Sequence, residues 1–216
     1  MQGAAGAMLV APALFAPAVA QMPGAPVLQN AWVTPGLVAA IDFGGGSDGG
    51  VYALAASWGS TTGRVGLSGG FGARHLKGSG TRAAYGVRLA IPFSSAESGG
   101  LGLAAFVGVG GASVNSSDAD SAAFTTEVPV GAAIGWRRAF GTSHGVSVYM
   151  SPSYTFLSGG RKTGGLFRVP LAGDFGFTPS FGMTVGVDFG QTRERDLGGP
   201  SSVLFGVGLA YAFGHK

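Results

Sequence analysis

The sequence contains no cysteine, which removes disulfides and thiolate metal sites from consideration. That is compatible with an oxidising compartment without establishing one. Charge is scarce as well: 11% of its 216 residues are Asp, Glu, Lys or Arg, against about a quarter in soluble domains. Thirteen Lys and Arg against ten Asp and Glu leave a net charge of +3. This is too small and too dispersed to form the basic stripe by which proteins hold nucleic acid. Beyond residue 21 no uninterrupted apolar run approaches the roughly 18 to 20 residues that a transmembrane helix needs. Yet 46% of the chain is hydrophobic and its mean hydropathy is positive. A chain so apolar, if it meets lipid, must do so in a form other than a helix.

Glycine is abundant, at forty-two residues, and it is patterned. In RVGLSGGFGAR (64–74), Val65, Leu67, Gly69, Phe71 and Ala73 alternate with Arg64, Gly66, Ser68, Gly70, Gly72 and Arg74. A period of two is that of a strand, whose successive side chains point to opposite faces. The pattern recurs in ten segments, at about 31–43, 51–59, 63–75, 81–93, 100–111, 123–140, 145–157, 164–177, 180–190 and 202–213. One face of each is bulky and apolar, and the other is mostly Gly, Ala and Ser. The second face of a soluble sandwich would carry Lys, Glu and Thr toward water. Small side chains suit an enclosed space better, so the pattern predicts an all-β fold: a closed, antiparallel, up-and-down transmembrane β-barrel. Its large residues face lipid and its small ones face the lumen. Ten strands are expected, eight being the fallback if the first or the sixth segment is misread; a secreted sandwich is the remaining alternative.

Aromatic placement supports this direction. Counting strands alternately up and down, Trp58, Phe93, Trp136, Phe177, Phe181, Tyr211 and Phe213 fall near one rim, and Phe43, Tyr52, Phe71, Phe124, Phe167, Phe189 and Phe205 near the other. Paired girdles of this kind mark the two interfaces of a transmembrane barrel. The connections also divide into a longer set (44–50, 76–80, 112–122, 158–163, 191–201) and a shorter set (60–62, 94–99, 141–144, 178–179), as expected of outer loops and periplasmic turns.

Residues 1–20 (MQGAAGAMLVAPALFAPAVA) are uncharged and end in Ala18, Val19 and Ala20. They read as the apolar region and small-residue cleavage site of a signal peptide, though no Lys or Arg precedes them. Residues 21–30 then form a periplasmic leader, 31–213 the barrel and 214–216 a tail.

The ten-segment pattern with its two aromatic sets, over residues 31–213, resembles bacterial outer-membrane β-barrel proteins in the manner of the small OmpA-type and OmpX-type barrels. The final strand GVGLAYAF adds a short motif: Gly208, Tyr211 and Phe213 match the Gly-x-x-aromatic-x-aromatic insertion signal of that group, although Gly214, His215 and Lys216 follow where its members usually end. The resemblance implies residence in the bacterial outer membrane, insertion by the barrel assembly machinery, and outer-membrane lipids and lipopolysaccharide as partners.

Alternation places Asp42, Arg64, Arg74, Arg82, Arg88, Glu127, Arg137, Arg168, Asp174 and Asp188 in the lumen. Confined charges must pair or stay hydrated, and Arg168 with Asp188, on adjacent strands at similar height, is the best candidate pair. Such a network either fills and stiffens a largely blocked lumen, leaving a structural or surface-binding role, or lines a small diffusion channel with mild anion preference. Ten strands enclose more than the eight that side chains can just fill. Arg161, Lys162, Arg193 and Arg195 in outer connections are candidate lipopolysaccharide contacts, since Arg suits phosphate. His75, His144 and His215 have no metal-ligand spacing and no triad partners. No cofactor, metal or enzymatic activity is expected, although His75 with Asp42 or Asp188 would be the nearest approach to a catalytic group.

Overall fold

The computed structural model describes residues 30–47, 49–76, 80–94, 99–113, 124–140, 144–159, 162–193 and 202–213. Residues 1–29 and the tail 214–216 lie outside these, and with them the expected signal peptide and most of the expected leader. The strands are β1 (Gly36–Gly46), β2 (Gly49–Gly59), β3 (Gly66–Leu76), β4 (Gly80–Pro92), β5 (Gly100–Ser113), β6 (Phe124–Phe140), β7 (His144–Met150), β8 (Ser153–Gly159), β9 (Lys162–Gly176), β10 (Phe181–Arg193) and β11 (Ser202–Phe213). Every pairing is antiparallel and, apart from β6–β8 and β7–β9, links sequence neighbours, and β11 returns to pair with β1, from Leu37↔Phe213 to Gly46↔Leu204. A single sheet closed in this way excludes the two-sheet sandwich.

Eleven strands make ten staves. Both β7 and β8 lie between β6 and β9, with β7 on the half nearer the chain termini and β8 on the other. The register runs through without insertion: Ile134↔Met150 becomes Gly131↔Ser153, and Leu171↔Met150 becomes Arg168↔Ser153. The break at Ser151 and Pro152 exists because Pro has no N–H for the ladder. Pro152 still accepts from Ala132 N–H at 3.1 Å, and Ser151 N–H donates to Pro170 at 3.0 Å.

Strand stagger follows from the same register. A circuit leaving Gly36 passes Gly59, Gly66, Ala90, Phe106, Gly131, Ser153, Arg168, Gly190 and Ser202. Ser202 lies two residues before Leu204, the partner of Gly46, so the circuit returns two steps past the end of β1, at a count of 48. Moving twelve residues up (36 to 48) in one turn is a rise of about 40 Å along the strand for about 48 Å around ten strands, hence a tilt of about 40° and a radius of about 10 Å.

The bulky face is outside. Leu37, Ile41, Phe43, Tyr52, Leu54, Trp58, Phe71, Val185, Phe205 and Tyr211 are exposed, whereas Val38, Ala40, Asp42, Val51, Ala53 and Ala104 are buried. Phe43 pairs with Tyr52, and Leu37 with Trp58 and Phe213, so outer aromatics gather at two levels. Phe71, Phe167, Phe189 and Phe205 belong with the first level, and Phe93, Trp136, Phe177, Phe181 and Tyr211 with the second; all are exposed. Phe124 opens β6, its side chain outside the described residues.

Two expectations change. Residues 31–35 are not strand, because Pro35 and Gly36, whose φ is +84°, turn the chain from the lumen into the wall. Turn-forming residues also remain paired further than their composition suggests. Gly44, Gly45 and Gly46 face Val51, Gly50 and Gly49, so β1 and β2 are joined by residues 47–48 alone. Cross-strand pairing overrides the turn preference of glycine wherever both strands continue. The longer outer connections that remain are 114–123 and 194–201, neither within the described residues.

Candidate functional site: the barrel lumen

Inward positions alternate with the outer apolar ones, so each stave delivers its polar residues to one interior. Nearest the chain termini, β7, β9 and β10 set Ser147, Asp174 and Thr184 side by side, since Asp174 is the register partner of both. Ser147 Oγ donates to Asp174 Oδ2 at 2.8 Å and Thr184 Oγ1 to Oδ1 at 2.7 Å. A third bond, at 3.2 Å, comes from Asn30 Nδ2 of the N-terminal segment.

That segment turns up into the lumen and is moulded to it. Ala31 is buried against Ala104 and Ala133. Trp32 meets Tyr149 edge to face, with ring centroids 6.2 Å apart, and Arg137 places its guanidinium 5.6 Å from the Trp32 ring. Four staves face it with glycine. A Cβ at Gly102 or Gly135 would stand 3.1 or 2.9 Å from the Trp32 ring, one at Gly66 would stand 2.6 Å from Val33, and one at Gly59 would collide with the Thr34 carbonyl. Beside this plug, a cavity of about 260 Å³ opens at the near mouth, bordered by Trp32, Arg137, Arg138, Ser147 and Asp174.

Further in, the lumen is crossed. Arg88 stacks 4.0 Å over the Phe106 ring, and Tyr149 lies within electrostatic reach of Asp174, Arg88 and Asp42. Asp42 and Arg88 are each 2% exposed, and Phe106 and Tyr149 each 4%. Water has almost no access at this level, and Gly131 leaves room for the Phe106 ring, which would stand 2.5 Å from a Cβ there.

The far half holds the remaining charges. Arg168 Nε and Asp188 Oδ2 form a buried ion pair at 2.9 Å. Their strands join Arg168 to Gly190 and Pro170 to Asp188, so the pair is a diagonal one. Glu127 lies within electrostatic reach of Arg74 and Arg168, and Arg74 stands directly opposite Arg82.

Of the lumen residues expected from sequence, Asp42, Arg74, Arg82, Arg88, Glu127, Arg137, Arg168, Asp174 and Asp188 all occupy inward positions of their strands. Arg64 does not. It is exposed in the turn before β3, where its N–H donates to Ser60 Oγ at 3.1 Å, because the alternation it continues ends when the strand ends at Gly66. His75 is on the outer face, its Nδ1 3.1 Å from Thr81 Oγ1, so the wall separates it from Asp42 and Asp188 and no catalytic group forms there. His144 is exposed, and among the described residues no His, Asp and Glu group could hold a metal. The candidate lipopolysaccharide contacts fall outside what is described: Arg161 and Arg195 entirely, Lys162 and Arg193 in their side chains. Gly208 faces inward, while Tyr211 and Phe213 meet edge to face at 5.0 Å on the outside.

Sequence reasoning missed Asn30, Trp32, Phe106 and Tyr149. Phe106 and Tyr149 carried a signal, as the only aromatics on otherwise small inner faces (Gly102, Ala104, Gly108; Ser147, Ser151). Nothing local marks Trp32 as a lumen residue. No family model matches the chain, and no curated protein matches it.

Proposed function

We propose that this chain is a bacterial outer-membrane barrel with a closed lumen, acting as a structural or surface-binding element rather than as a channel or an enzyme. Its apolar outer band between two aromatic levels supports the membrane setting. Phe181 and Phe189 are eight residues apart on β10, about 20 Å of height at a tilt of about 40°, close to the roughly 25 Å apolar band of such barrels. Outer-membrane lipids, and lipopolysaccharide at the end remote from the termini, are the partners this reading assigns, and the barrel assembly machinery would meet Tyr211 and Phe213 during insertion.

The observation that carries the closed lumen is the near-complete burial of Asp42 and Arg88 halfway along the bore. In a water-filled channel these charges would line the conduit and be wet. Here Arg88 lies on Phe106, with the Trp32 plug below it. The test is paired. Purified protein should migrate as a compact band that shifts only on boiling, and the same protein in planar bilayers should give no steady current. A steady, mildly anion-selective current would instead establish the small diffusion channel, and solubility without detergent would remove the membrane assignment.

A further inference from the structure

At the end of the lumen remote from the termini, the described residues supply three arginines, Arg74, Arg82 and Arg168, and two carboxylates, Glu127 and Asp188. Asp188 is taken by Arg168 at 2.9 Å. Glu127 lies in the field of Arg74 and Arg168. Arg82 is the remaining cation: its buried Nε has no hydrogen-bond partner among the described residues. It also stands directly across the β3–β4 ladder from Arg74. Residues so opposed have Cβ atoms roughly 5 Å apart, and like charges there are destabilising. Inside a narrow, low-dielectric wall the repulsion is larger than in water, and the excess positive field is focused toward the nearer mouth. Below this group the bore is shut by Asp42, Arg88, Phe106 and Tyr149.

We propose that the far half of the lumen is a blind binding site for a phosphoryl group, entering from the end remote from the termini and held between Arg82 and Arg74. The assignment rests on the closed-lumen reading above. Two guanidinium forks on directly opposed residues can converge on the several oxygens of a phosphoryl group, which each fork can grip bidentately. Occupancy relieves the Arg74–Arg82 repulsion and satisfies Arg82. The group is free phosphate or pyrophosphate, or the phosphate of a surface lipid such as lipopolysaccharide. Both present the same oxygens.

The full chain, refolded in non-ionic detergent without phospholipid, is titrated with inorganic pyrophosphate by calorimetry at constant ionic strength in chloride. In a second arm, chain reconstituted in nanodiscs of neutral lipid is titrated with lipopolysaccharide. One saturable site per chain is expected in at least one arm, and the arm that binds more tightly identifies the source. Arg82→Gln should weaken binding roughly tenfold to a hundredfold, the loss of charged hydrogen bonds. Arg82→Lys, which keeps the charge and loses the fork, should fall between Arg82→Gln and the unaltered chain, and Arg64→Gln, in the exposed turn, should bind unchanged. If Arg82→Gln fails to show the heat-shifted band of folded protein, the Arg82→Lys comparison decides alone. No saturation in either arm, or equal binding by the Arg82 variants, overturns the site. A steady bilayer current with Arg82-dependent binding intact would refute the closed lumen only, whereas silence in the bilayer without binding would refute the site only.

Discussion

The three tryptophans report separately on the two sides of the wall. Trp58 and Trp136 face outward, 53% and 42% exposed, at the aromatic level nearer the termini. Trp32 is inside, against Tyr149 and Arg137. With the aromatic levels about 20 Å apart, each lies about 10 Å from the middle of the apolar band. Replacing Trp32 and Trp136 by Phe leaves Trp58 as the only indole, and the Trp58→Phe, Trp136→Phe pair leaves Trp32. In vesicles containing brominated lipids, Trp58 should be quenched most by bromines placed about 10 Å from the bilayer centre and least by those at the terminal methyl. Trp32 should be insensitive to bromine depth, because a strand wall and its outer side chains separate it from every acyl chain. Equal quenching of both indoles, or stronger lipid quenching of Trp32, would refute the assignment of bulky residues to the outside and of Trp32 to the lumen.

Other consequences follow from packing inside the wall. Asp188→Ala strands a buried guanidinium and should lower unfolding free energy in urea by about 3 to 5 kcal/mol, whereas Arg168→Met with Asp188→Leu should cost much less, since replacing a whole buried pair is often near neutral; equal losses would refute the pair's burial. Gly135→Val sends its Cβ toward Trp32, Tyr149 and the Val148 carbonyl, and should destabilise by about 1 to 3 kcal/mol through overpacking. In a Trp32-only background the same change should raise iodide quenching of Trp32 as the plug is displaced; unchanged quenching would mean that the glycine socket does not hold the segment. Asp174→Ala removes the acceptor for Asn30, Ser147 and Thr184. It should cost about 1 to 3 kcal/mol, the range for donors left unsatisfied, and a loss below about 0.5 kcal/mol would show that water replaces the carboxylate.

Most of the wall was legible in the residues. Segments such as 81–93, with Tyr85, Val87, Leu89 and Ile91 against Gly86, Arg88 and Ala90, carry the period-two signal with so strong a contrast of size that direction and strand count could both be read. The charges at the inward positions were legible for the same reason, since parity on a strand fixes the face. The pairing of Arg168 with Asp188 needed only neighbouring strands and similar height. Arg64 escaped because parity continues past the point where hydrogen bonding stops. The paired glycines Gly44 to Gly46 escaped because turn composition does not reveal whether a partner strand is present.

By itself the sequence determined the alternation, and therefore which side chains share a face, because that is local stereochemistry repeated along each stave. Only the tertiary structure decided what fills the bore. Pairing of β4 with its two neighbours sets Arg88 against Phe106 and Arg74 opposite Arg82, and closure of the circuit encloses the 32–34 segment among glycines from β2, β3, β5 and β6. The socket glycines lie tens of residues along the chain from the segment they receive, so those contacts exist only in the assembled barrel.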